Sequence, residues 1–200
     1  MITLGENSSA NAIGSQLIFP HECAGNDKLL MVSVTFTNPR TTSLMSVTHN
    51  GRTLTKKVHS QMESKLRTEI WYLVNPDAAG DIEINFDKDT KAICVAQTVR
   101  GVNQVEPFYF ETAVAAKGVA SLPVTFQMID GNMLYATGIV DGDQQSNVEV
   151  WQTEMWNILF SNVRSQGIAS FPNMTGEATV SNTLSAPGDL SMVILGVSAA

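Results

Sequence analysis

Two hundred residues suffice for one large β domain or two small ones, and a hydrophobic content of 44% can furnish a core. The formal net charge is -7 and the twelve Lys and Arg residues form no run, which excludes a nucleic-acid binder that works by neutralising phosphates. No stretch offers the roughly 18 uncharged apolar residues of a membrane helix, and Met1–Asn7 lacks the basic and apolar regions of a secretory leader, so a chain made in the cytoplasm is expected, with no membrane partner.

Residues 1–12 are small and polar and read as an N-terminal arm, ordered only if docked on a neighbour. The domain proper is expected over 13–200. Gln16–Phe19 is a short strand stopped by Pro20. Lys28–Phe36 is a long core strand, with Leu30, Val32, Val34 and Phe36 on one face and Ser33 and Thr35 on the other. Asn50-Gly51 carries the strongest short hairpin signal, because a type I′ turn needs positive φ at both positions, and it predicts antiparallel strands near 43–49 and 52–60.

The stretch Arg67–Pro76 organises the rest. Ile70, Tyr72 and Val74 fall on one face and Trp71 and Leu73 on the other, so both faces must be covered, as in an interior strand. Asn75-Pro76 stops it. In Asp81–Asp87, Ile82, Ile84 and Phe86 alternate with Asp81, Glu83, Asn85 and Asp87; the acidic row is read as the solvated side of a strand and not as a metal or acid/base site. Residues 91–99 place Ile93, Val95 and Val99 opposite the small Ala92, Cys94 and Ala96. Cys94, inside this apolar run, and Cys23 are expected as buried free thiols.

Glu106–Phe110, Leu122–Met128 and Met133–Val140 supply further strands. The polar loop Asp141–Asn147 has part of a calcium-binding ligand set but lacks the glycine position and bidentate Glu, and is read as a surface turn. In 151–160 the apolar residues Trp151, Met155, Ile158 and Leu159 fit a helical face after an alternating start, so a strand followed by a short helical turn is expected. Trp151 and Trp156 are the candidate binding residues, since two indoles near a polar loop suit the apolar face of a sugar; the competing assignment is to the end of the core. Strands follow at Gly167–Phe171 and Ala178–Leu184, a turn at Pro187-Gly188-Asp189, and a closing strand Leu190–Ser198, apolar on both faces and so expected inside a sheet.

More than ten extended segments with frequent turns and no long helix give the expected fold class: all-β, an antiparallel two-sheet β-sandwich, jelly-roll-like. No Gly-x-Ser-x-Gly, phosphate-cradling glycine loop or metal-spaced histidines appear. His21, His49 and His59 are assigned surface or structural roles, with His49 and His59 able to face each other across their hairpin. No catalytic residue, metal ligand or cofactor is therefore expected.

The segments Asn26–Val32, Val47–Thr55, Glu69–Pro76, Gly101–Phe108, Gly131–Leu134 and Gly176–Val180, in that order, resemble a β-sandwich domain that recurs in bacterial surface proteins and phage particle proteins. The resemblance covers most of the chain, and its motifs mark turns and core strands. It implies a non-enzymatic virion protein, either capsid decoration or a tail or fibre component, located in the particle and contacting copies of itself and other virion proteins. A carbohydrate-binding module or adhesin domain, with glycans as partners, is the alternative.

Overall fold

A computed structural model describes residues 1–144, 146–147, 152–171 and 175–200. Its secondary structure is β throughout the described residues. The strands are β1 (Thr3–Glu22), β2 (Leu29–Thr37), β3 (Leu44–His49), β4 (Arg52–Thr53), β5 (Thr55–Met62), β6 (Leu66–Val74), β7 (Ala79–Arg100), β8 (Phe108–Met128), β9 (Met133–Asp141), β10 (Ser146–Asn147), β11 (Gln152–Phe160), β12 (Val163–Ser170) and β13 (Gly176–Val197). All pairings are antiparallel, and they make two sheets, β4-β3-β7-β2-β6-β5 with β1 on β7, and β10-β13-β9-β12-β11 with β8 on β13. The expected two-sheet, all-β sandwich is what forms.

The same pairing scheme occurs twice. In the first half the opening strand β1 runs the whole length of the closing strand β7, from Thr3 opposite Arg100 to Glu22 opposite Ala79. The other side of β7 carries β2 along Ala92–Val99 and β3 along Ile82–Phe86. In the second half β8 runs along β13, whose other side carries β9 and β10. In both, the second strand pairs next with the penultimate one (β2 with β6, β9 with β12), which pairs in turn with β5 or β11. First strand against last, with two strands sharing the last one's far side, is jelly-roll connectivity.

Local details repeat with the topology. β2 and β9 are both nine residues long and β7 and β13 both 22. β2 lies between Asp27 and Asn38, and β9 between Gly131 and Gly142, all four with positive φ. Even the bulges coincide: β5 skips one residue at Lys57 and β11 one at Met155, each at the same place relative to its partner strand.

Each long ribbon is interrupted by register shifts, near Gly14 in β1 and between Thr183 and Leu190 in β13, and each half has a core of its own. The first contains Phe19, Leu30, Val32, Phe36, Trp71, Ile84 and Cys94, the second Phe126, Leu134, Ile168 and Met192. A third and larger core lies between the halves, where Leu29, Met31, Ile70 and Val95 meet Tyr135, Val193 and Leu195. This arrangement explains the doubly apolar strands. β2 sends Leu30 and Val32 into its own half and Leu29 and Met31 across to the other, and β6 divides Trp71 and Ile70 in the same way. The closing strand lies between β8 and β9, with Leu190 and residues 192–195 buried.

Several segments differ from the sequence reading. Residues 3–12 are the first half of β1, docked on β7, so the arm is a strand. The Asn50-Gly51 turn forms, with φ of 49° and 75°, but its hairpin ends at Thr53. After buried Leu54 the chain leaves β3 and joins β6 at the opposite edge, which closes the first sheet into a near-barrel. The helical turn expected after Trp151 is a strand: the bulge at Met155 turns two successive side chains, Met155 and Trp156, to the core, and that break in alternation imitates helical spacing. Pro187-Gly188-Asp189 is an irregularity inside β13 rather than a turn, and Phe108–Met128 is one strand.

Candidate functional site

The first half closes over its core with a polar cluster at each end. At one end, β1 brings His21 opposite Gly80 and β3 brings His49 opposite Ile82. The two rings meet edge to face, 6.4 Å between centroids, and both are buried. His21 Nδ1 is 2.7 Å from Ser8 Oγ and its Nε2 2.9 Å from Thr98 Oγ1, which also donates to Cys23 Sγ at 3.3 Å. Neither ring nitrogen of His49 has a hydrogen-bond partner among the described residues. Burial and the neighbouring His49 hold the His21 pKa down at about 4, and burial lowers that of His49. A shallow cleft of about 320 Å³ opens over Ser8, Pro20 and His21.

Ser8 and His21 have the separation of a nucleophile and its base. The second ring nitrogen, however, faces the Thr98 hydroxyl and not a carboxylate. A histidine that ionises only near pH 4 is a weak proton acceptor at neutral pH. What the cluster can do is join β1 to β7 through one neutral imidazole that also packs against His49 of β3.

At the other end Glu69 is 2% exposed and lines a pocket of about 160 Å³ with Lys56 and Arg67. Its oxygens accept from Arg67 Nε at 2.6 Å and Trp71 Nε1 at 2.9 Å, while Lys56 Nζ lies 3.9 Å away and 5.7 Å over the Trp71 ring. Arg67 also donates to Gln61. The equivalent positions of the second half hold Arg164, Gln166 and Glu154, with Gln166 donating to Glu154. A buried carboxylate in one unit is thus replaced by an amide in the other.

The two candidate tryptophans part company. Trp151 lies outside the described residues. Trp156 is 6% exposed, in the core between the halves, with its indole over Gly167, 5.9 Å from the Tyr135 ring, and its Nε1 donating to Ser165 Oγ at 3.3 Å. A Cβ at residue 167 would collide with that indole, so glycine is what admits it. The indole therefore presents no open stacking face. In the 141–147 loop, Asp141 lies 3.8 Å from Lys65, and Gln145 is outside the described residues. Among the described residues no group of three or more His, Cys, Asp or Glu is placed to hold a metal. Cys23 and Cys94 are both free and buried, and burial raises both thiol pKa values. His59 is exposed on β5, away from His49. The acidic row of β7 does face outward, with Glu83 and Asn85 accepting from Gln16.

The two long ribbons differ at their outer edges. β8 is covered by β5 and the turn after it: Ser60 Oγ donates to the Val114 carbonyl at 2.6 Å and Lys57 pairs with Glu111 at 2.5 Å, while Lys117 pairs at 3.7 Å with Glu63 of the turn. The positions of β1 equivalent to Glu111 and Lys117 are Asn7 and Ile13, and no described strand pairs with the outer edge there. Ile13 is 64% and Ile18 55% exposed, both on β1. The sequence pattern did not single out this edge, because exposed apolar residues on one strand gain meaning only beside the strand they duplicate.

Comparison with protein-family models, with curated proteins and with solved structures gave no match.

Proposed function

We propose that this chain is a non-enzymatic structural protein of a phage particle, a capsid decoration protein or a tail or fibre component, which acts through protein–protein contacts. The resemblance in the turn and strand motifs supplies the particle class. The observation that carries the contact role is the outer side of β1, where large apolar residues stand exposed on a strand edge and not inside a cleft. The buried polar groups fit the same reading, since His21 bonds to Ser8 of its own strand and Thr98 of β7, and Glu69 to Arg67 and Trp71 of its own strand with Lys56 of β5 3.9 Å away.

Mass spectrometry of purified particles tests this. The chain should be present in stoichiometric amount and resist removal by salt washing. Its absence from particles, or turnover of a substrate that depends on Ser8 or His21, would overturn the proposal.

A further inference from the structure

The geometry points to the Asn7–Gly14 edge of β1 as a docking edge for a second copy of this chain, joined strand to strand in antiparallel fashion. This deepens the proposed contact role and rests on it. Asn7–Gly14 is the regularly paired part of β1's first half, joined without interruption to Gln97–Thr90 and bounded by register shifts at either end. Its residues, Asn7-Ser8-Ser9-Ala10-Asn11-Ala12-Ile13-Gly14, include no charge and no proline. Edge strands that must stay single are ordinarily protected by lysine, proline or a bulge, and this segment has none of these within it.

The molecule contains its own control. The equivalent segment of β8 is covered by β5, and the two charges that clamp it, Glu111 and Lys117, are replaced by Asn7 and Ile13 in β1. An edge built without clamping charges does not select a charged partner strand, and in a protein of net charge -7 an uncharged strip is where two copies meet with least repulsion. Antiparallel pairing about Ala10 is self-complementary, as a two-fold contact requires. It sets Ser9 of one copy against Asn11 of the other, and Asn7 against Ile13. Small side chains along the strip let the backbones approach, and Ile13 at each end adds apolar cover.

Sedimentation velocity of the full chain from about 1 μM to about 100 μM, a range that brackets weak homodimers, should show a monomer–dimer equilibrium. I13K, which installs the lysine that β8 carries, and N11K should each weaken it at least about tenfold with unchanged near-UV circular dichroism. The S9C/N11C variant should form disulfide-linked dimers on mild oxidation, the native thiols being buried. A monomer over the whole range, or a dimer indifferent to both lysines, overturns the inference. Particles that still contain such a monomer would leave the proposed function standing, and loss of I13K from those particles would assign the edge to a different protein. A lysine-sensitive dimer absent from particles would keep the edge and refute the function.

Discussion

Ser33 Oγ and Thr137 Oγ1 lie 2.8 Å apart across the central core, and each is the fifth residue of its nine-residue strand. Ser33 is opposite Val95 and Ile70, and Thr137 opposite Val193 and Gly167. The two hydroxyls are equivalent positions of the two halves and bond to each other where those halves meet. Removing either leaves the other's hydroxyl buried without this partner. S33A and T137V should each cost about 1 to 3 kcal/mol, whereas the double variant should cost clearly less than the sum. Urea midpoints check this, and strict additivity would contradict the pairing.

Trp156 over Gly167 occupies the place that Val58 opposite Ile70 fills in the first half. G167I should be destabilising by about 2 to 3 kcal/mol because the indole has nowhere to move. W156V should lose about 3 kcal/mol by opening a cavity. The double variant W156V/G167I recreates the first half's pair and should recover about 2 kcal/mol relative to additivity. Thermal unfolding of the four proteins measures this coupling, and its absence would show that the two sites do not exchange volume.

Glu69 is held by Arg67 and Trp71 where the second half uses Gln166. E69Q keeps an acceptor but leaves Arg67 without its carboxylate, and should cost about 2 kcal/mol; E69A, which also strands the indole N–H, about 3 to 5 kcal/mol. Denaturant titration at neutral pH separates the two. E69Q as stable as wild type would mean that the ion pair only offsets its own desolvation.

The His21–His49 pair makes acid sensitivity a property of the fold. Both folded-state pKa values lie below the unfolded value of 6.5, so below that pH the unfolded chain binds more protons. Stability is therefore complete above pH 6.5 and falls as the pH drops from 6.5 toward about 4, where His21 itself titrates. Asp189 and Asp77, whose pKa values are lowered first by hydrogen bonds from Lys65 and Asn50, lose their contribution only at still lower pH. The melting temperature should decline through the histidine window in wild type and less steeply in H49F. A wild-type profile that is flat from pH 7 to 5 would contradict this account.

Period-two burial made much of the fold legible. Ile82, Ile84 and Phe86 point inward, and the two faces of Ile70–Val74 divide between two cores. Two of the failures come from irregular pairing. Met155 disguised a strand as a helical turn, and the irregularity between Thr183 and Leu190 looked like a chain reversal at Pro187-Gly188-Asp189. The repeat was hidden because the halves share roles more than identities: Arg67 and Arg164 match, while Thr68 becomes Ser165 and Glu69 becomes Gln166. The polar clusters were out of reach for another reason. His21 and His49 meet only because β1 and β3 both flank β7, a relation that no local pattern encodes.

The partnership of β1 with β7, and of β8 with β13, sets a timetable for synthesis on the ribosome. The opening strand of each half must wait for the last one to emerge, so the first half can shut only when Arg100 is out and the second only at Val197. In the interval the finished first half would present Leu29, Met31, Ile70 and Val95 to water as a bare apolar sheet. The nascent chain is most open to mispairing with a neighbour in that window, and a stall between those two residues would leave it there.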